Sequence, residues 1–288
     1  MEIIVGKYSG FCNGVNYTVT KANEELDQNG MIYSLGEIVH NESVTDELKR
    51  KGLLIKNNLN EIPDKAKVII RAHGESIDTY KKAKEKNLDI IDLTCGKVRL
   101  IHHKILKHQD DNFIIIIGKK DHPETIAHKS YSNNSFIVEN KDDVLLAYEA
   151  FLKSNFLSIY IVSQTTFNEL LFNELVGIIQ HVFKDIQVTV DNTICNVTSL
   201  RQLETVTLAK KASKMIIVGG VNSSNTKELY NIAKNYCKDV YLIRTYYDLD
   251  LSAFKSDDIV GIMGGASTPQ EIIDKIVEYV KSIYKKVK

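Results

Sequence analysis

Four cysteines occur in the 288 residues, and three of them, Cys12, Cys95 and Cys195, share a setting. Each follows a short apolar run and precedes a helical pattern, in "SGFCNGVN", "DLTCGKVR" and "NTICNVTS". A lone cysteine in such a chain is usually a small buried hydrophobe. Three at equivalent points read better as a ligand set, because converging thiolates suit zinc or an iron–sulfur cluster. Structural zinc sites usually show close C-x-x-C pairs and a fourth ligand, and no close pair is present here. A cubane cluster held by three thiolates leaves one iron open. An open iron can act as a Lewis acid toward a substrate oxygen. Cys237, inside the helical pattern "KELYNIAKNYC", has no counterpart and reads as a packing residue.

A second set of residues repeats with the cysteines. Gly36, Gly118 and Gly219 follow Cys12, Cys95 and Cys195 by 24, 23 and 24 residues, and a polar cluster follows each glycine. His40, His73 and His122 fall at strand-to-helix junctions. Thr165 and Thr166 close the second repeat, and Ser223, Ser224, Asn225 and Ser267 take the corresponding places in the third. Taken singly these are ordinary helix caps, and Pro123 and Pro269 each fit a first helical position. Taken together, hydroxyls, amides and imidazoles at several helix starts make an anion site suited to a phosphate or diphosphate. Glu124, in "DHPETIAH", either complements a helix dipole or donates a proton; periodicity leaves both open. His102, His103, His108, His128 and His181 fall within helical stretches and carry no signal.

These residues need elements to hold them. Short β-branched runs alternate with amphipathic stretches, the signature of α/β architecture. The strands expected are "EIIVG", "MIYSLG", "KVIIRAHG", "DIIDLTC", "FIIIIG", "IYIVSQ", "VTVDNTIC", "KMIIVGG" and "DIVGIMGG"; helices are expected near 16–28, 76–86, 98–109, 168–182, 200–212, 226–237 and 270–285. The chain therefore reads as three similar α/β modules: 13–95 together with the N-terminal strand in 1–12, then 96–194, then 195–288. Ligands sit beyond the carboxyl ends of parallel strands. A pseudo-threefold arrangement of the modules would turn three cysteines and six polar tips toward one cavity.

Composition limits the partners. Lys+Arg and Asp+Glu are both 37, so no basic field is available to attract nucleic acid. No secretory signal is visible, and runs such as "FIIIIG" are too short to span a bilayer. The chain is expected to be cytoplasmic and monomeric, with no disulfide framework. Its basic end "KSIYKKVK" reads as a solvated helix terminus.

The motifs "SGFCNGV", "GEIVHN", "RAHG", "DLTCGKV", "DHPE", "SQTT", "ICNVT", "NSSN" and "GGASTP" occur in order across nearly the whole chain. As a set they resemble the 4-hydroxy-3-methylbut-2-enyl diphosphate reductase (IspH/LytB) family. The resemblance implies a trefoil of three α/β modules around a 4Fe–4S cluster, with Cys12, Cys95 and Cys195 as its three ligands and the fourth iron open to the substrate hydroxyl. It implies that His40, His73, His122, Thr165, Ser223, Ser224, Asn225 and Ser267 bind substrate, chiefly its diphosphate, and that Glu124 supplies protons. The implied reaction ends the non-mevalonate isoprenoid pathway: two electrons and two protons remove the hydroxyl as water, giving isopentenyl and dimethylallyl diphosphates. The implied electron donor is a small carrier such as a ferredoxin or flavodoxin.

Two positions depart from the family pattern: Gly96 stands where proline is common after the cysteine, and Val221 replaces a basic residue often found before "NSSN". Other function classes remain to be weighed. A zinc hydrolase of a phosphorylated substrate would use the same thiolates, and a regulator would keep the cluster without the reaction.

Overall fold

The apolar runs form three four-stranded sheets, and every pairing in them is parallel. The structure is a computed structural model that describes residues 1–285. In chain order it opens with β1 (Glu2–Val5) and α1 (Asn13–Asn29). The first repeat follows as β2 (Ile32–Leu35), α2 (Glu42–Arg50), β3 (Leu53–Lys56), β4 (Lys67–Ile70), α3 (Ile77–Glu85), β5 (Asp89–Asp92) and α4 (Gly96–His108). The second contains β6 (Phe113–Ile117), α5 (Pro123–Lys129), β7 (Ser135–Val138), α6 (Asp142–Leu152), β8 (Ser158–Ser163), α7 (Glu169–Val182), β9 (Gln187–Val190) and α8 (Asn196–Lys211). The third contains β10 (Lys214–Val218), α9 (Ser224–Lys234), β11 (Asp239–Ile243), β12 (Ile259–Gly264) and α10 (Gln270–Lys285). Residues 286–288, the last three of the basic end, lie outside the described residues.

The sheets share one strand order: β3-β2-β4-β5, β7-β6-β8-β9 and β11-β10-β12-β1. The expected α/β class and its threefold repetition are therefore present. One assignment changes. The N-terminal strand, grouped with the first module from sequence, pairs with β12 in the register Glu2↔Ile259 to Val5↔Ile262 and completes the third sheet. Its place is that of β5 and β9, the edge strands that lead to Cys95 and Cys195. The three strands not expected from sequence, β3, β7 and β11, occupy the opposite edge of each sheet.

Contacts divide the chain into two compact bodies: residues 1–19, 39–48 and 196–288, and residues 20–38 and 49–195. In the first, alternate residues of β10 face opposite ways, as the strand period of two requires. Ile216 and Val218 pack with Ile273, Ile276 and Val280 of α10, whereas Met215 and Ile217 pack with Leu208 and Ala209 of α8 and Leu229 and Ala233 of α9. In the second body, Phe113, Ile115 and Ile117 face Val144, Ala147 and Phe151 of α6 and Phe172, Leu175 and Ile179 of α7. The alternate residues Ile114 and Ile116 face Ile101 and Ile105 of α4. Helices on both faces explain why β6 and β10 are buried along their whole length and read as unbroken apolar runs.

Among the described residues no helix is long and apolar enough to cross a membrane.

Candidate active site

Each of the three cysteines stands immediately before a helix: Cys12 before α1, Cys95 before α4 and Cys195 before α8. None of the three is in a disulfide, and all are half-buried. The equivalence extends to single hydrogen bonds. The backbone N–H of Cys12, Cys95 and Cys195 donates to the carbonyl of Ala266, Ala72 and Thr165, at 3.2, 3.0 and 2.9 Å. Each acceptor lies two residues beyond the neighbouring strand, β12, β4 or β8. Each cysteine is thus fastened to the carboxyl end of its sheet by its main chain. In the first body the N–H of Val15 also approaches Cys12 Sγ at 3.4 Å. Cysteine sulfurs at helix starts are donors of the kind an iron–sulfur cluster takes. Cys237 is different: its Sγ is buried and lies 3.5 Å from the carbonyl oxygens of Ala212, Ser213 and Asp239, and burial pushes its thiol up.

The segment carrying Cys12 is clamped by a residue that the sequence did not single out. Arg201, on α8 and almost wholly buried, donates from Nε to Tyr8 O at 2.6 Å and from Nη2 to Gly10 O at 2.7 Å. One turn further on, the Glu204 carboxylate accepts from the N–H groups of Lys7 and Tyr8 at 2.7 and 2.8 Å. No local pattern announces Arg201, because its partners are main-chain carbonyls more than 190 residues away.

The first body also holds Ser223, Ser224, Asn225, Ser267 and His40. Ser223 caps α9 by accepting from the Thr226 N–H at 3.3 Å. Ser224 and Asn225 form the first turn and are buried, at 8% and 4% exposure, yet Ser224 Oγ and Asn225 Nδ2 have no hydrogen-bond partner among the described residues. Buried donors left unpaired are costly, so these two point to an acceptor that the protein itself does not supply. Ser267 Oγ donates to His40 O at 3.3 Å. Gly220 packs so closely on His40 that a Cβ there would overlap the His40 carbonyl.

The second body holds His73, His122, Glu124 and Thr165. The rings of His73 and His122 meet edge to face at 5.4 Å. His122 caps α5: its Nδ1 accepts from the Glu124 N–H at 3.2 Å, which assigns the ring proton of the neutral form to Nε2. Glu124 is buried at 2% exposure and is gripped by Thr165, whose N–H reaches Oε1 at 2.6 Å and whose Oγ1 lies 2.9 Å from Oε2. Burial pushes this carboxyl up, but the hydrogen bond and charge of His128, the charge of His122 and the Thr165 N–H outweigh it and hold Glu124 below its ordinary range. The two departures from the family pattern sit in open ground: a Cβ on Gly96 would meet nothing within 4 Å, and Val221 is 41% exposed.

Fold and site together define an α/β protein in which one parallel sheet occurs three times and each copy delivers a cysteine to a helix start. The chain belongs to the LytB protein family, which it matches over residues 3–281. The 4-hydroxy-3-methylbut-2-enyl diphosphate reductase of Alkaliphilus oremlandii is 37% identical over 289 residues, covering 98% of this chain and 100% of the relative. The solved E-1-hydroxy-2-methyl-but-2-enyl-4-diphosphate reductase from Plasmodium falciparum superposes with a TM-score of 0.88 at 30% identity, covering 96% of this chain and 87% of that one. A second structure, of (E)-4-hydroxy-3-methyl-but-2-enyl diphosphate reductase, described as the terminal enzyme of the non-mevalonate pathway, gives 0.70 at 36% identity, with 98% and 100% covered.

Proposed function

We propose that this chain reductively removes the hydroxyl of 4-hydroxy-3-methylbut-2-enyl diphosphate, giving isopentenyl and dimethylallyl diphosphates as the last step of the non-mevalonate route. The observation that carries this reading is the repeated junction, with one cysteine per sheet held by the same main-chain hydrogen bond. Cys12, Cys95 and Cys195 would hold a 4Fe–4S cluster. When bound, that cluster supplies single-electron transfer and a Lewis-acidic iron, which zinc cannot combine. Each sheet would contribute one ligand, at the end of its edge strand: Cys95 after β5, Cys195 after β9 and Cys12 after β1.

The remaining work falls to the chain's own side chains. Ser224 Oγ and Asn225 Nδ2, with Ser223, Ser267 and His40, offer donors and a helix start to the diphosphate. His122, with Nδ1 occupied by the Glu124 N–H, presents Nε2–H as a donor to substrate, and His73 beside it is assigned the same task. Glu124 delivers the proton, and Thr165 Oγ1 lies next to Oε2 as the hydroxyl through which it is passed on. Electrons come from a small carrier such as a ferredoxin or flavodoxin, and the protein works in the cytoplasm as a monomer.

Anaerobic purification tests the assignment. A brown protein with iron and acid-labile sulfide, turning over the allylic diphosphate when reduced, is expected. A colourless protein containing zinc alone, hydrolysing a phosphorylated substrate, would replace this reading with the zinc one.

A narrower test concerns His40. In Gly220→Ala the new methyl must push the His40 carbonyl and, through it, Ser267. Overpacking of this kind costs about 1–3 kcal/mol, so KM for the diphosphate should rise about tenfold, with a smaller change in kcat, in steady-state kinetics.

A further inference from the structure

We propose that His128 is a positioning residue for Glu124: a buried imidazole that holds one proton next to the carboxyl and hands it over during turnover. The inference rests on the reading of Glu124 as proton donor and adds a residue to it.

His128 is 0% exposed and stands one helical turn past Glu124 on α5, with Nε2 3.3 Å from Oε1. Its Nδ1 has no hydrogen-bond partner among the described residues, and its Nε2 faces the Glu124 carboxylate. Burying an imidazole without partners is expensive, and an apolar side chain would fill the space at less cost. The one group that can repay that burial is the carboxylate beside it. Glu124 is thus held on two sides: Thr165 takes Oε2, the side proposed to lead to substrate, and His128 faces Oε1 from within.

The surroundings favour His128 as the place where the proton rests. The ring of His102, on α4, meets His128 edge to face at 5.1 Å and stacks on Tyr131 at 3.9 Å. Burial, reinforced by the nearby His128, pushes His102 down to about 3, so it stays neutral and does not compete. The other ionisable groups around the pair are His122 beside Glu124, Arg99 and His103 beside His102, and Glu75 and Asp92 beside Tyr131. Despite its burial, Glu124 is held below its ordinary range, so the shared proton is assigned to the His128 side of the contact at rest. The step itself is a single proton transfer. The Nε2–H bond of His128 breaks, an O–H bond forms on Glu124, and an ion pair becomes a neutral pair carrying the same one proton. The proposed reaction consumes two protons. The pair supplies one of them without opening to water, and it must recover a proton from solvent before it can supply another.

The test compares kcat against pH for the cluster-loaded wild type, His128→Gln and His128→Asn, with the allylic diphosphate as substrate. A pair sharing one proton keeps it to higher pH than a lone carboxyl does. The alkaline limb of kcat should therefore move to lower pH by about one unit or more in both variants, with KM unchanged. A profile of unchanged shape, whether at full rate or uniformly lowered, overturns the proposal. If neither variant folds, nitrogen-15 histidine spectra of wild type and Glu124→Gln decide. The imidazolium signature of His128 should be present at neutral pH in the first and absent from the second; its presence in both, or in neither, overturns the proposal. These spectra need no turnover. A wild type that spares the substrate would therefore count against the reductase reading alone.

Discussion

Glu124→Gln is expected to slow turnover by about a hundred- to ten-thousandfold, the range that general acid catalysis contributes. In free energy that is about 3–5 kcal/mol of lost transition-state stabilisation. Glutamine keeps the shape of the side chain and can still accept the Thr165 N–H that now reaches Oε1 at 2.6 Å. It has no proton to give at any ordinary pH. The diphosphate contacts assigned to Ser224, Asn225 and Ser267 lie on other elements, so KM should stay close to the wild-type value. Single-turnover rates together with iron content check the prediction. A variant with a full complement of iron and a rate within about threefold of wild type would remove Glu124 from the proton path.

Serine in place of Cys12, Cys95 or Cys195 is expected to act more severely, and at the level of the cofactor. Each substitution leaves the main-chain N–H, and hence its bond to Ala266, Ala72 or Thr165, in place. The fold should therefore persist while the ligand is lost. Iron and acid-labile sulfide should fall sharply in all three variants. Turnover should drop by at least about a thousandfold, which is about 4 kcal/mol. Cys237→Ser is the control. Its sulfur is buried against carbonyl oxygens and packs with Leu208, Met215 and Leu229, so the substitution should cost some stability and leave iron content unchanged. Iron lost equally from all four variants would mean that global stability, not ligation, governs loading.

The three cysteine junctions are more legible in the sequence than the outer strands of the frame. Three cysteines before helices stood out because residue type, spacing and the following glycine repeated together, and that repetition does not depend on guessing element boundaries. The inner strands were legible for a related reason: β6 and β10, buried on both faces, leave unbroken apolar runs. The outer-edge strands β3, β7 and β11 are no less buried than β1, β5 and β9, which have no buried residue, but no cysteine junction follows them to mark their ends. A strand of that kind has little pattern of its own and is defined by the neighbour it pairs with. The pairing of Glu2 with Ile259 is likewise invisible to any local window, so β1 was placed in the wrong sheet. His128 had a faint signal after all. Its spacing of four from Glu124, in a helix opened by Pro123, puts both side chains on one face. That spacing acquires meaning only once both groups are seen to be buried.

The place of β1 has a consequence for how the protein is made. A ribosome delivers the chain in order, and by the time Cys195 has emerged, the sheets that carry Cys95 and Cys195 have all their strands. The third sheet does not: β1 waits for β12, and Cys12 waits for the carbonyl of Ala266. The first cysteine to be synthesised is therefore the last to be seated. A nascent chain stalled before residue 259 would carry two cysteines anchored by their main chains and one adrift, so a ligand set made of all three could be completed only after this segment is translated.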